Sequence, residues 1–154
     1  MSGVRSAGLL LFRRTGPELE VLLGHMGGPY FARRDAGAWT VPKGEYGPDE
    51  PAREAARREF EEELGVAPPD GEEVPLGEVR QAGGKTVTVW AVRGDLDPAA
   101  VVPGTFTMEW PPKSGRMREF PELDRVAWLS LERARAVIVS AQAAFLDRLA
   151  EHSP

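Results

Sequence analysis

The chain has 154 residues, of which 42% are hydrophobic and 28% charged, ordinary values for a globular protein of one domain. A formal net charge of −5 argues against a broad nucleic-acid-binding surface, but not against a small phosphate-bearing ligand. The absence of cysteine excludes disulfides, thiolate catalysis and cysteine-ligated zinc. No signal peptide or bilayer-length apolar run is visible, so we expect a cytoplasmic protein without membrane contact.

Strand-like segments alternate with loops and two helical regions. Apolar runs bounded by turn residues predict strands at residues 4–14, 18–26, 76–83, 85–94 and 125–130. Shorter extended pieces are predicted at 39–44 and 105–110, the second within an otherwise irregular segment, 95–124, and residues 67–75 read as a turn region. This mixture predicts an α/β or α+β sandwich rather than two domains.

Two regions have helical composition or spacing. Residues 51–64 are rich in Ala, Glu, Arg and Leu, with Asp49 as the expected N-cap and Gly65 as the expected end. From about Ser130 onward, apolar residues repeat on one helical face. β-branched residues interrupt that second pattern, so either one helix or two helices with a break fits it.

The first helix collects carboxylates on one side. At 100° per residue, Glu59, Glu62 and Glu63 share a face, whereas Phe60 lies on an apolar face and Glu61 points to solvent. A solvated acidic face is the ordinary interpretation of such a pattern. No basic residue stands at i+4 from these glutamates, however, and Mg²⁺ or Mn²⁺ would relieve the repulsion through oxygen ligands. On the wheel, Ala52 and Ala55 fall on the carboxylate side, where small side chains would leave room for a ligand.

The residues around this helix resemble the signature of a known family. The sequence matches every fixed position of the Nudix box: Gly44, five residues, Glu50, seven residues, and then "REFEEELGV". The resemblance implies a Nudix fold, an α/β/α sandwich around a mixed β-sheet, as a single domain spanning residues 1–154. It also implies hydrolysis of a nucleoside diphosphate linked to another group, X.

The resemblance further implies roles for the box residues. Glu59, Glu62 and Glu63, with the backbone carbonyl of Gly44, would be the metal ligands, and Mg²⁺ (or Mn²⁺) the cofactor. Arg58 would orient the carboxylates and Glu50 would support them. A helix glutamate, or a glutamate from a distant loop, would deprotonate the attacking water.

Residues outside the box are candidates for substrate binding. The entry "WTVPKGE" is similar to hydrolases of dinucleoside or diphosphoinositol polyphosphates, in which Lys43 would meet a phosphate. The tyrosine or proline that marks some dinucleoside polyphosphate or ADP-ribose hydrolases beyond the box is missing. In the 27–38 loop, Tyr30 or Phe31 could stack on a base and Arg33 or Arg34 could bind phosphate. The alternative is that the aromatics pack into the core while the arginines stay solvated.

The irregular segment offers three further candidates. Glu109 could be a metal ligand or the general base, with a surface acid as the alternative. Lys113 and Arg116 could bind distal phosphates. His25 is interpreted as structural.

The expected substrate is a nucleoside triphosphate or a dinucleoside polyphosphate. The alternatives are a non-catalytic nucleotide-sensing or protein-binding Nudix module, and an RNA 5′-end pyrophosphohydrolase. Isopentenyl diphosphate isomerase, which shares the fold, is disfavoured because its relatives use a cysteine. The resemblance leaves a homodimer open.

Overall fold

A computed structural model describes residues 3–152 and contains two sheets and three α-helices. The main sheet has seven strands: β1 (Arg5–Thr15), β2 (Glu18–Met26), β3 (Trp39–Thr40), β4 (Lys43–Glu45), β5 (Glu73–Arg80), β6 (Thr86–Arg93) and β9 (Leu123–Ser130). The second sheet is a hairpin of β7 (Thr105–Glu109) and β8 (Met117–Pro121). The helices are α1 (Ala52–Leu64), α2 (Leu131–Val137) and α3 (Ala143–Glu151).

The main sheet is mixed, and β1 lies at its centre. β1 pairs in parallel with β6, from Arg5 opposite Thr86 to Phe12 opposite Arg93. Along its other edge, residues 12–15 pair with β2, whereas residues 6–8 pair with β4. β1 and β2 therefore separate near the start of β1, and β4 lies along the part of β1 that β2 has left.

Helices cover both faces of this sheet, as the α/β/α prediction required. Successive side chains of β1 point to opposite faces. Leu9 and Leu11 accordingly pack with α1, whereas Leu10 and Phe12 pack in a second cluster with α2 and α3. The α/β/α sandwich around a mixed sheet is confirmed.

The second helical region is broken, one of the two predicted alternatives. The side chain of Ser130 caps α2 by accepting a hydrogen bond from the Arg133 amide. Ile138 then leaves the helix in an extended conformation, and the Val139 amide donates to the Trp39 carbonyl at 2.8 Å. The β-branched residues thus form a bridge to β3 instead of continuing the helix.

Three local predictions were wrong. Asp49 does not cap α1: the N-cap is Pro51, without a side-chain hydrogen bond, and Asp49 lies in the turn that the Glu50 amide closes onto the Gly47 carbonyl. The predicted turn at 67–75 overlaps β5, an edge strand that accommodates Pro75 beside a register shift. The segment 95–124, predicted to be irregular apart from 105–110, contains β8 as well as β7.

Candidate active site

Helix α1 presents its carboxylates as the wheel predicts. Phe60 and Leu64 are fully buried against the sheet, and Glu61 is exposed. Gly65 ends the helix in the left-handed conformation (φ 70°), its amide donating to the Glu61 carbonyl. The prediction that Ala55 leaves room for a ligand is wrong. Ala55 is fully buried in the core beneath α1.

Arg58 connects three carboxylates. Its guanidinium donates to both oxygens of Glu50, from Nε at 2.7 Å and from Nη2 at 2.8 Å. Its Nη1 donates to Glu59 at 2.9 Å and to Glu62 at 3.1 and 3.2 Å. Hydrogen bonds to these carboxylates, above all to Glu50, raise the pKa of Arg58. The structure thus brings Arg58 together with three glutamates of the box, Glu50, Glu59 and Glu62.

Two of the carboxylates are withdrawn from water. Burial raises the pKa of Glu63 to about 8, and the negative charge of Glu59 adds to the effect. Burial also raises the pKa of Glu59. The Lys43 backbone amide donates to Glu63 Oε2 at 2.9 Å and fixes that carboxylate against β4. Such buried carboxylates are costly in the ionised form unless a cation compensates them.

Gly44 allows the Glu59 carboxylate to lie against the backbone of β4. A Cβ at this position would collide with the carboxyl carbon and both oxygens of Glu59. Any other residue would displace the Glu59 side chain or the strand, which is the physical reason for glycine at this position.

A cleft of about 620 Å³ opens above these residues, where β1 and β2 separate. Lys43, Lys85 and the carboxylates line this cleft together with the rings of Phe31 and Phe106. Burial lowers the pKa of Lys43, and the opposite charge of Glu63 partly counteracts this. The lining residues are Ser6, Met26, Gly27, Phe31, Thr40, Lys43, Gly44, Glu45, Glu59, Glu62, Glu63, Lys85, Gly104, Thr105, Phe106, Glu122 and Leu123.

Three sequence candidates from the 27–38 loop and β7 are not in the cleft lining. Tyr30 is 55% exposed and meets Trp110 edge to face, with ring centroids 5.2 Å apart. The side chain of Arg34 is exposed, and its carbonyl instead lies 2.6 Å from Nε2 of His25. Glu109 accepts hydrogen bonds from the backbone amides at positions 113 and 115, because its strand directs it into its own hairpin turn.

The hairpin turn also holds the other two cationic candidates away from the lining. Lys113 adopts a positive φ of 62° in the turn between β7 and β8, and Arg116 follows it; both side chains are exposed. The reason is topological, because the turn closes the end of the hairpin opposite to the cleft-lining residues Thr105 and Phe106.

His25 is structural, as predicted. It is fully buried, and Nδ1 lies 2.9 Å from both carboxylate oxygens of Asp124. With its contact to the Arg34 carbonyl, the ring joins β2 to the 27–38 loop and to the start of β9. It thereby fixes the segment that carries Phe31.

Lys85, Phe106 and Glu122 are among the cleft residues that the sequence interpretation missed. Glu122 lies between β8 and β9, where its amide donates to the Gly104 carbonyl at 2.8 Å, and its charge helps to raise the pKa of Glu63. Lys85 follows two glycines, a signal for close approach by a phosphate. No comparable signal distinguishes Glu122, because its place depends on the pairing of the hairpin.

The donor set fits a hard divalent cation, although the side chains do not converge on a single point. Among residues 3–152, no three His, Asp or Glu side chains are grouped closely enough to chelate an ion as they stand. Arg58 bridges Glu59 and Glu62 instead. Nevertheless, five carboxylates and two lysines line the cleft, and carboxylate oxygens are the ligands that Mg²⁺ prefers.

Among residues 3–152, no helix is both long and apolar enough to cross a membrane.

Comparisons with known proteins agree with this geometry. The NUDIX domain family model matches residues 3–149, and no curated protein matches the chain. A crystal structure of a binary complex of the C. elegans Ap4A hydrolase is 22% identical, with a TM-score of 0.66 and 97% of each chain covered. The NUDIX domain of Shewanella oneidensis NrtR, complexed with ADP ribose, is 16% identical, with a TM-score of 0.66 and coverage of 100% of this chain and 90% of that chain.

A third similar structure is the solution structure of the E. coli ORF135 protein. It is 23% identical, with a TM-score of 0.60, and the match covers 99% of this chain and 92% of that chain. At such identities the similarity of these three structures shows a shared fold.

Proposed function

This chain belongs to the NUDIX domain family of hydrolases that cleave pyrophosphate bonds, and from that premise we propose that it is a Mg²⁺- or Mn²⁺-dependent pyrophosphohydrolase of nucleotides. Its substrate is a nucleoside diphosphate linked to a group X, a nucleoside triphosphate or a dinucleoside polyphosphate. One observation carries the proposal: the three box carboxylates, two lysines and two aromatic rings share a single cleft.

Glu59, Glu62, Glu63 and the carbonyl of Gly44 would hold the cation. When bound, such a cation neutralises charge on phosphate oxygens and lowers the pKa of coordinated water. The contribution of Arg58 is orientation, because its hydrogen bonds to Glu50, Glu59 and Glu62 limit the rotamers of all three.

The rest of the cleft suits a nucleotide. Lys43 and Lys85 supply positive charge beside the carboxylates, where phosphate oxygens would lie. Phe31 and Phe106 line the same cleft and supply apolar faces for a base. The cleft therefore offers both an apolar surface for a base and positive charge for phosphates.

The attacking water needs a proton acceptor, and Glu122 is better placed for this role than Glu109. Glu122 lines the cleft, and electrostatic repulsion by it contributes to the raised pKa of Glu63. The Glu109 carboxylate is occupied by two amides of its own turn. We therefore assign the general base to Glu122.

A panel of nucleotides with identification of the products tests the proposal. We expect turnover that requires Mg²⁺ or Mn²⁺ and a loss of at least about 100-fold in kcat/KM for Glu62→Gln. Glu61→Gln, on the exposed side of the same helix, is the matched control and should retain wild-type activity.

Three results would contradict the proposal in different ways. Undiminished turnover in excess chelator would exclude the metal-dependent mechanism. Tight nucleotide binding without turnover of any panel member would identify a sensing module. Selective release of pyrophosphate from a triphosphorylated RNA 5′ end would identify an RNA-processing enzyme.

A further inference from the structure

The two hydrogen bonds of His25 together require a hydrogen on each nitrogen of its ring. The ring is fully buried, with Nε2 2.6 Å from the Arg34 carbonyl oxygen and Nδ1 2.9 Å from both carboxylate oxygens of Asp124. A carbonyl oxygen only accepts hydrogen bonds, so Nε2 carries a hydrogen. An ionised carboxylate also only accepts, so Nδ1 carries a second hydrogen if Asp124 is ionised.

The surroundings of Asp124 favour its ionised form. Its Oδ1 also accepts a hydrogen bond from Nη1 of Arg125 at 3.0 Å, and its side chain is 26% exposed to solvent. A neighbouring guanidinium and contact with water both stabilise a carboxylate. The geometry therefore describes an ion pair in which the fully buried ring of His25 is an imidazolium.

The elements around the ring carry charges of both signs. Hydrogen bonds from Trp39 and Arg133 lower the pKa of Asp35, and attraction to a positively charged His25 contributes. Of the two acids, Asp124 is the one that is hydrogen-bonded to the ring. The charged side chains on these elements are Asp124 and Arg125 on β9, Arg33, Arg34 and Asp35 on the 27–38 loop, and Arg133 on α2.

Loss of one proton from the His25 ring breaks its link to the 27–38 loop. With Asp124 ionised, the remaining hydrogen stays on Nδ1, where it forms the stronger, charge-assisted bond. The lone pair of Nε2 then faces the Arg34 carbonyl oxygen at 2.6 Å, and two acceptors at that distance repel each other. The Arg34 carbonyl is therefore held by the imidazolium and released by the neutral ring.

Arg34 is connected through the backbone to Phe31, which lines the cleft. The Arg34 amide donates to the Phe31 carbonyl at 2.9 Å, so the two residues belong to one turn. The end of the loop is held independently of His25, because the Met26 amide donates to the Ala38 carbonyl at 2.9 Å. Release of the Arg34 carbonyl therefore acts first on the turn that carries the Phe31 ring.

We propose that His25 is a positioning residue whose second proton holds the Phe31 ring in place for a nucleotide. As an imidazolium, His25 fixes the turn that carries Phe31; as a neutral ring, it lets this turn move and weakens nucleotide binding. The proposal rests on the proposed function for the identity of the ligand, since Phe31 there supplies a surface for a base. It makes nucleotide affinity depend on a histidine that does not itself line the cleft.

Nitrogen-15 NMR of the imidazole ring tests the protonation state directly. His152→Gln removes the only other histidine, an exposed residue, so the remaining ring signals belong to His25. At about pH 6, both ring nitrogens should carry a hydrogen, whereas a buried neutral histidine carries one. As the pH is raised to about 9, loss of the hydrogen on Nε2 should accompany shifts of the Phe31 and Arg34 amide signals. A neutral ring at the lower pH, or ring deprotonation without these amide shifts, would overturn the proposal.

Asp124→Asn separates the effect of the proton from that of packing. The asparagine amide donates to Nδ1, which leaves a neutral ring with its hydrogen on Nε2 and keeps the bond to the Arg34 carbonyl. The ring of this variant should therefore carry one hydrogen at both pH values, and the Phe31 amide signal should stay fixed. Asp147→Asn is the matched control, because Asp147 also bonds an arginine but no histidine, and it should follow the wild type.

Binding of a non-hydrolysable nucleoside triphosphate in the presence of Mg²⁺ tests the consequence for the cleft. Between about pH 6 and pH 9, the dissociation constant should rise about tenfold more for the wild type than for Asp124→Asn, since only the wild type loses a charge-assisted hydrogen bond. Titration of cleft residues affects both proteins alike and cancels in this ratio. An equal pH dependence of the two proteins would overturn the proposal. If no nucleotide is turned over, the proposed hydrolysis fails, while the NMR titration of the wild-type ring still decides whether its proton positions the turn.

Discussion

Glu63 should make the metal-free protein less stable as the pH rises. Its pKa is raised from 4.5 to about 8 in the folded protein, mainly by burial. A carboxyl group with a raised pKa stabilises the fold at a pH below its unfolded pKa, and this contribution is lost between the unfolded and the folded pKa. The sensitive window therefore runs from 4.5 to about 8.

The size of the effect follows from the shift. At roughly 1.4 kcal/mol per pKa unit, the shift reduces the free energy of unfolding by about 1 kcal/mol near pH 5 and about 4 kcal/mol near pH 7.5. Glu63→Gln keeps the side chain's size and an oxygen that accepts from the Lys43 amide, but it cannot ionise. The variant should therefore gain about 3 kcal/mol on the wild type between these two pH values.

Urea denaturation in the presence of a chelator measures this difference. Wild type, Glu63→Gln and the exposed-carboxylate control Glu61→Gln are compared at both pH values. Glu61→Gln should follow the wild type. Adding Mg²⁺ at the higher pH should stabilise the wild type more than Glu63→Gln, because a ligand that binds only the folded state stabilises it. A constant gap between wild type and Glu63→Gln at both pH values would refute the burial of this carboxylate.

Further substitutions test the remaining parts of the site and the fold. Gly44→Ala should lower kcat/KM about 10- to 100-fold, because its Cβ displaces the Glu59 carboxylate. Kinetics at saturating Mg²⁺ check this, and wild-type activity would contradict the close approach of Glu59 to the backbone at Gly44. Glu122→Gln should lower kcat by about 100-fold or more and flatten the pH–rate profile, whereas Glu109→Gln should retain its shape and height; the reverse result would return the general base to Glu109. Gly65→Ala should lower the free energy of unfolding by at least about 1–2 kcal/mol, since φ is 70° at Gly65 and the new Cβ would meet the Val102 carbonyl. An unchanged midpoint of urea denaturation would contradict this geometry at the end of α1.

Local patterns in the sequence were enough to predict helix α1 and its face of glutamates. The i+3 and i+4 spacing of Glu59, Glu62 and Glu63 depends only on helix geometry, so their shared face was predictable, as was the burial of Phe60. β2 was also predicted with its observed bounds, 18–26, because its apolar run lies between clear turn residues. In both cases, short-range information determines the outcome.

The side of the cleft that the β7–β8 hairpin forms was harder to predict because it depends on distant pairing. β8 alternates weakly and is mostly exposed, so no apolar period marks it. Only its pairing with β7 determines that Glu109 faces its own turn while Phe106 faces the cleft. Ala55 shows the same limit on a helix, because the wheel gives an angle but not what packs against it.

The β7–β8 hairpin also has a consequence for protein engineering. Within residues 3–152 it forms a sheet of its own, and at its base Gly104 donates to the Glu63 carbonyl at 3.2 Å and accepts from the Glu122 amide. The segment between Gly104 and Glu122 is thus a cassette with two defined splice points. Hairpins from other chains could be grafted there to change substrate preference, while β4, α1 and the carboxylates stay as they are.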